Sequence, residues 1–270
     1  MHFIETPSGL KWHYDVKGEG PAVLFIHGWG VNMRIWRQQI KHFSQRFKVV
    51  SIDLPGHGKT NWVNVTTEDM AKDLHLILDH LKVDRLGFVG SSLGGLIALK
   101  AYDIYPERFY YMVFVGSQPK FARSADYPYG LDVSRIRQLA WQLDNRYPNM
   151  LHIFFRSLFT KEERATRRFK WIQTFRAADY VPDKKALLEM LNVLEKEDLR
   201  ATLDKIDIPV QFINGTEDNI CSRDFFVYLQ SKMPEAKFSW FHQCGHFPFL
   251  SKPHEFNAVL DGFLKEVHGQ

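Results

Sequence analysis

The stretch Gly87-Phe88-Val89-Gly90-Ser91-Ser92-Leu93-Gly94-Gly95, "GFVGSSLGG", sets two serines among glycines at the end of an apolar run. "RLGFVGSS" reads as a buried strand and "LGGLIALKAYDIYPERF" as a helix, so the serines fall on the turn between them. Gly90-Ser91-Ser92-Leu93-Gly94 has the spacing G-x-S-x-G. A nucleophile on a sharp strand-to-helix turn carries strained backbone angles and tolerates only small residues two before and two after it. For Ser92 those neighbours are Gly90 and Gly94. For Ser91 they would be Val89 and Leu93, which are too bulky. Ser92 is therefore the candidate nucleophile. The helix that starts beside it favours negative charge developing there. The competing reading is a glycine-rich turn that only packs strand against helix, and the strand–turn–helix context weighs against it.

Working outward, "MHFIETPSG" and "LKWHYDVKGEG" read as a hairpin, with Pro7, Ser8 and Gly9 at its turn. "PAVLFIHG" and "FKVVSIDLPGHG" are apolar runs ending in glycine-containing loops, as strands buried on both faces should look. Between them "VNMRIWRQQIKHFSQ" has helical spacing, and "TTEDMAKDLHLILDHLKV" is a helix with Thr67 and Asp69 near its start. "YYMVFVGS" is a further strand. Strands and helices in alternation predict an α/β fold, a mostly parallel sheet with helices on both faces. From Gln118 to Asp198 only helical patterns follow one another: "LDVSRIRQLAWQLDN", "NMLHIFFRSLF", "KEERATRRFKWIQTFRAA" and "DKKALLEMLNVLEKED". The strand and helix alternation then resumes with "PVQFINGTED", "SRDFFVYLQSKM", "AKFSWFHQCGH" and "PHEFNAVLDGFLKEV". The expected organisation is a core of residues 1–117 and 199–270 with a helical lid inserted at 118–198.

Composition sets the class. The chain has 270 residues, 45% hydrophobic and 24% charged, ordinary values for one large globular domain. No apolar run reaches the roughly 18 residues of a membrane helix, and the first twenty residues lack a signal-peptide core. With only Cys221 and Cys244 there is no disulfide framework, and a cytoplasmic protein, expected as a monomer, is the reading. The histidines and cysteines show no metal-ligand spacing, so neither a metal nor another cofactor is expected. A net charge of +4 gives no reason to expect a nucleic-acid partner. Its distribution is uneven: Pro119–Lys185 holds 14 Lys/Arg against 7 Asp/Glu. The inserted segment thus carries all the positive excess.

A serine nucleophile needs a base, and the base an orienting acid. Of the 12 histidines, His246 follows the last strand in "CGHFPFLSKP". His242 is placed on that strand as a packed or surface residue, His27 as a loop-shaping residue, and His57 in "PGHG" as a loop residue. Asp218 in "NGTED" is the candidate acid, with Glu217 as the alternative. Ser92, Asp218 and His246 lie in the chain order known for serine hydrolases of the strand–turn–helix type. The oxyanion donors would be the backbone N–H groups of Leu93, after the nucleophile, and Trp29, in "HGWG". The Trp29 side chain could also wall an acyl pocket.

At this point the chain resembles the α/β-hydrolases through "HGWG", "DLPGHG", "GSSLGG", "GTED" and "GHFPF". Within them it is similar to the pimeloyl-[acyl-carrier protein] methyl ester esterases of biotin synthesis. The stretches "IHGWGVNMRIW", "SSLGGLIAL", "YPERF", "SQPKFARSADYP", "LLEMLNVLEKEDLR" and "HFPFLSKPHEF" carry that similarity. The resemblance implies cleavage of a methyl ester on an acyl chain borne by acyl carrier protein. An acidic carrier implies a basic docking surface. The lid cations Arg156, Arg164, Arg167, Arg168 and Lys170 are the candidates for it, and Phe121, Phe154 and Phe155 for the lining of an acyl channel. The bland alternatives are a solvated helix face and core packing. A general short-chain carboxylesterase or a hydrolase of carbon–carbon bonds would use the same triad.

Overall fold

The computed structural model describes residues 2–175 and 181–269. Met1, at the head of the expected hairpin, and residues 176–178, at the end of one expected lid helix, lie outside them. The chain opens with β1 (His2–Glu5) and β2 (Lys11–Lys17), which pair antiparallel. β3 (Ala22–Ile26), α1 (Arg37–Phe43) and β4 (Lys48–Ile52) follow, with a 3-10 turn at Met33–Trp36 leading into α1. Next come α2 (Thr67–His80), β5 (Leu86–Ser91), α3 (Leu93–Ile104) and β6 (Phe109–Val115). The helical stretch contains α4 (Val133–Arg146), α5 (Asn149–Ser157), α6 (Lys161–Arg164), α7 (Arg167–Phe175) and α8 (Lys184–Lys196). The chain ends with α9 (Arg200–Leu203), β7 (Val210–Gly215), α10 (Arg223–Lys232), β8 (Lys237–Phe241), α11 (Pro248–Ser251) and α12 (Pro253–His268).

The described strands form one sheet in the order β1-β2-β4-β3-β5-β6-β7-β8. β2 pairs antiparallel with β4, and every pair from β4 to β8 is parallel. This explains the continuous apolar runs. Along β3, Val23 and Phe25 enter one core with Trp36, Phe43 and Phe263, whereas Leu24 and Ile26 enter the other with Leu74, Phe88 and Ile97. Side chains alternate across a strand, so a sheet covered on both faces must be apolar at every position.

The connection from β3 goes to β4 on one side, and the chain then returns to β5 on the other. That reversal leaves a crevice at the carboxyl ends of β3 and β5, the usual place for a ligand in such sheets. Ile26 and Gly90 are register partners there, so the loops after them, carrying Trp29 and Ser92, emerge side by side. The two ends of the helical stretch meet at the sheet. Lys120 Nζ donates to Asp198 at 3.0 Å and the Leu199 N–H to Pro119 O at 2.9 Å.

α2 starts at Thr67 with Asp69 in its first turn, as expected, and Thr66 caps it: the Thr66 hydroxyl accepts the Asp69 N–H and the Asp69 carboxylate accepts the Thr66 N–H, a capping box. Two local expectations are corrected. His242 lies beyond β8, exposed in the following turn. The helix expected from Lys161 is divided into α6 and α7, because the Thr166 hydroxyl donates to Glu163 O and accepts the Phe169 N–H, capping a new helix. No described helix is long and apolar enough to cross a membrane.

Candidate active site

β5 ends at Ser91 and α3 begins at Leu93, leaving Ser92 alone on the turn with φ 53° and ψ −121°. A non-glycine residue at positive φ is strained and persists only where its surroundings hold it. Here the Ser92 N–H donates to Val115 O at 2.9 Å, and Ser92 O accepts the Ser117 hydroxyl at 2.7 Å and the Gly95 N–H at 3.0 Å. The flanking glycines are required by contact with neighbouring chain. A Cβ on Gly94 would lie 2.5 Å from His27 O, and one on Gly90 would lie 2.7 Å from the Gly95 nitrogen. Ser91 is fully buried, its hydroxyl included, and is not part of the cavity lining that holds Ser92.

Leu93 is the first residue of α3, so its N–H has no carbonyl one turn back to bind. The Trp29 N–H meets no backbone acceptor among the described residues. The Trp29 loop abuts the nucleophile turn directly, since a Cβ on Gly28 would lie 3.0 Å from Ser92 Cβ. Two buried histidines hold this loop. The His27 ring sits between Gly28 O at 2.8 Å and the Leu54 N–H at 2.9 Å. His57 sits between Pro55 O at 2.9 Å and the Gly30 N–H at 3.1 Å. In each ring Nε2 accepts, so Nδ1 carries the proton. Burial lowers the pKa of His27. Burial and the neighbouring His27 push His57 down to about 3. Burial alone would raise the Asp53 carboxyl. The His13 hydrogen bond, the His27 ring and the Met33 and Lys59 N–H groups outweigh it and hold Asp53 below the usual range.

His246 lies after β8 and Asp218 after β7, both buried. His246 Nδ1 donates to Asp218 Oδ2 at 2.8 Å, while Oδ1 accepts the Ile220 and Cys221 N–H groups at 2.8 and 3.1 Å. Nε2 is thereby left as the acceptor end of the ring. Glu217, the alternative acid, has an exposed side chain. The Cys244 carbonyl accepts the Glu217 N–H at 2.9 Å, joining the acid and base loops.

Ser92, His246, Gly28 and Trp29 line one cavity of about 140 Å³. Phe121, Leu131, Ile136, Phe154, Leu191 and Leu194 give it apolar walls, and Arg135, Gln138 and Gln142 of α4 line it too. The Trp29 indole meets Phe154 edge-on at 4.9 Å between ring centres and donates to Leu187 O at 3.0 Å. Such a site can hold an acyl group against a hydroxyl, an imidazole and two backbone donors.

The remaining sequence candidates are placed differently. Phe155 packs on Phe159 and Phe247 rather than in the cavity wall. Arg168 donates to Leu250 O and Gln38 Oε1, both at 2.7 Å, and covers Trp171. Arg156 is exposed over Phe169, with Arg164 reaching its carbonyl at 3.4 Å. Arg167 and Lys170 are exposed. None of these five cations lines the cavity, whereas Arg135 does. Arg135 was hidden within the charge excess, although Arg135, Gln138 and Gln142 repeat at helical spacing. Gly116 was also missed: a Cβ there would lie 2.9 Å from the His246 ring and 3.2 Å from Asp218 Oδ2.

A family model described as alpha/beta hydrolase fold matches residues 21–253. A pimeloyl-[acyl-carrier protein] methyl ester esterase of Nitrosomonas europaea is 31% identical over 92% of this chain and 98% of its own. One of Aliivibrio fischeri is 28% identical over 94% and 97%. Among solved structures, a bromoperoxidase from Bacillus anthracis superposes with a TM-score of 0.87 at 26% identity, covering 95% of this chain and 96% of its own. An esterase from Exiguobacterium antarcticum superposes with a TM-score of 0.88 at 24% identity, covering 97% and 98%. With the sheet order, the strained turn at Ser92 and a family model spanning most of its length, the chain belongs to the α/β-hydrolase family.

Proposed function

We propose that this protein is a serine carboxylesterase that cleaves the methyl ester of a pimeloyl chain borne by acyl carrier protein, through an acyl-enzyme on Ser92. The observation that carries this reading is the meeting of strained Ser92 and Asp218-bound His246 on one cavity with apolar walls. The Ser92 hydroxyl gives its proton to His246 Nε2 as its oxygen attacks the ester carbonyl. The N–H groups of Trp29 and Leu93 receive the oxyanion. His246 returns the proton to the departing methoxide, which leaves as methanol. Water, deprotonated by the same ring, then attacks the acyl-enzyme and releases the free carboxylate. Asp218 holds the ring in the required tautomer and stabilises its charged form.

The names of the relatives support the carrier-linked substrate. So does the basic stretch between β6 and β7, which acts as a lid and docking surface for an acidic carrier. Demethylation of methyl pimeloyl-carrier protein is to be compared with hydrolysis of a free short-chain methyl ester. The expected result is a kcat/KM advantage for the carrier that shrinks with salt, and a loss of at least about a thousandfold in kcat for Ser92→Ala. Equal rates on both substrates would leave a general carboxylesterase. A fully active Ser92→Ala would remove the acyl-enzyme.

A further inference from the structure

Residues 157–163, from the end of α5 into α6, are bonded to both loops that carry the candidate acid and base. The Asn219 side-chain amide, next to Asp218, donates to Ser157 O at 3.0 Å. The His246 N–H donates to Leu158 O at 2.9 Å. The Gly245 N–H donates to Glu163 Oε2 at 3.0 Å, and the Cys244 thiol to Glu163 Oε1 at 3.1 Å. Three consecutive residues of the base loop thus each give one hydrogen bond to this segment. Loop and segment touch closely: a Cβ on Gly245 would lie 2.3 Å from Leu158 O.

Glu163 is the centre of the arrangement. It is a buried carboxylate whose Oε2 also accepts the Thr160 N–H at 2.7 Å. Thr160 in turn accepts the Glu163 N–H at 3.0 Å, completing the capping box of α6. A capping box needs only one end of that side chain. The other contacts, to Cys244 and Gly245, lie 81 and 82 residues away in sequence and serve the loop. A carboxylate is an acceptor only, which suits three converging donors. Burial and the adjacent Glu163 charge push the Cys244 thiol well above its usual range, so it keeps the proton it donates.

We infer that Glu163 is a positioning residue: it ties the 244–246 loop to the helical stretch and so sets where the His246 ring stands relative to Ser92. This rests on the reading of His246 as the base.

The test uses the whole chain and a soluble short-chain ester, with active sites counted by fluorophosphonate labelling. Glu163→Ala is expected to lower kcat per labelled site by about 10–100-fold, the scale of a misplaced catalytic group. KM should stay within about threefold, because Glu163 itself does not line the cavity. Glu163→Gln should recover most of the loss, since its amide oxygen can still accept both N–H groups. Glu162→Gln, on the exposed neighbour, should match the parent. A brace that merely stabilises the fold would lower the thermal midpoint and the number of labelled sites, not the turnover of each. Parent-like turnover per labelled site in Glu163→Ala overturns the inference. If that variant does not fold, Glu163→Asp withdraws the carboxylate by one methylene and is read the same way. Parent-like turnover in His246→Ala would instead overturn the base assignment, and the inference with it.

Discussion

At Gly116 the backbone turns with φ +54° at the end of β6, and the space where a side chain would sit is filled by the His246 ring. Alanine there would add roughly 1–2 kcal/mol of backbone strain and press its methyl on Nδ1, the atom bonded to Asp218. Gly116→Ala is therefore expected to cost more in turnover than in stability, with kcat down by about tenfold or more. Steady-state kinetics beside a thermal melt would check this. An equal kcat with a lowered melting temperature would mean that the loop yields and the ring stays. The contrast with Ser92 shows what the sequence can carry at this scale. Ser92 was legible because its constraint is local: Gly90 and Gly94 are two residues away on either side. The neighbours of Gly116 lie more than a hundred residues further on, so "VFVGS" reads as an ordinary strand end.

At the scale of elements, the basic helices divide by what their cations do. Arg168 on α7 spends its guanidinium on Leu250 O and Gln38, fastening the helical stretch to the core. Arg167, one residue earlier, is exposed. Arg168→Ala is expected to lower stability by about 1–3 kcal/mol, from charge-assisted hydrogen bonds and lost packing on Trp171. Arg167→Ala should leave the melting temperature unchanged and, with Lys170→Ala, weaken only the carrier-linked reaction. Denaturant titration of the two single variants checks the first half, and the salt dependence of kcat/KM the second. Composition located the basic segment, because charge excess is a sum over residues. It could not sort the anchor Arg168 from the exposed Arg167 and Lys170, since Gln38 and Leu250 are distant in sequence. The division between α6 and α7 was closer to hand. Thr166 is a helix-cap residue inside "TKEERATRRFK", but the continuing helical period masked it.

Across the whole molecule, His27 and His57 link the β3 loop to the chain after β4, and both must be neutral to do so. Each uses Nε2 to accept a backbone N–H, from Leu54 and from Gly30. Protonation of either ring would turn that acceptor into a donor facing a donor. Both pKa values lie below the ordinary 6.5, His57 at about 3. The unfolded chain therefore takes up protons near pH 6.5 while the folded chain does not. Stability is constant on this account above that value and falls as pH drops from 6.5 toward 3. The slope approaches about 1.4 kcal/mol per pH unit for each ring that stays neutral. Calorimetric melting between pH 7.5 and 4 should show a midpoint that is flat at first and then declines. His57→Gln should start lower at pH 7.5, because the Gly30 N–H loses its fitted acceptor, yet decline less steeply, because one titrating ring is gone. A midpoint level down to pH 4 would mean that these rings take up protons in the fold, and that the loop bearing Trp29 is held by something other than their acceptor nitrogens.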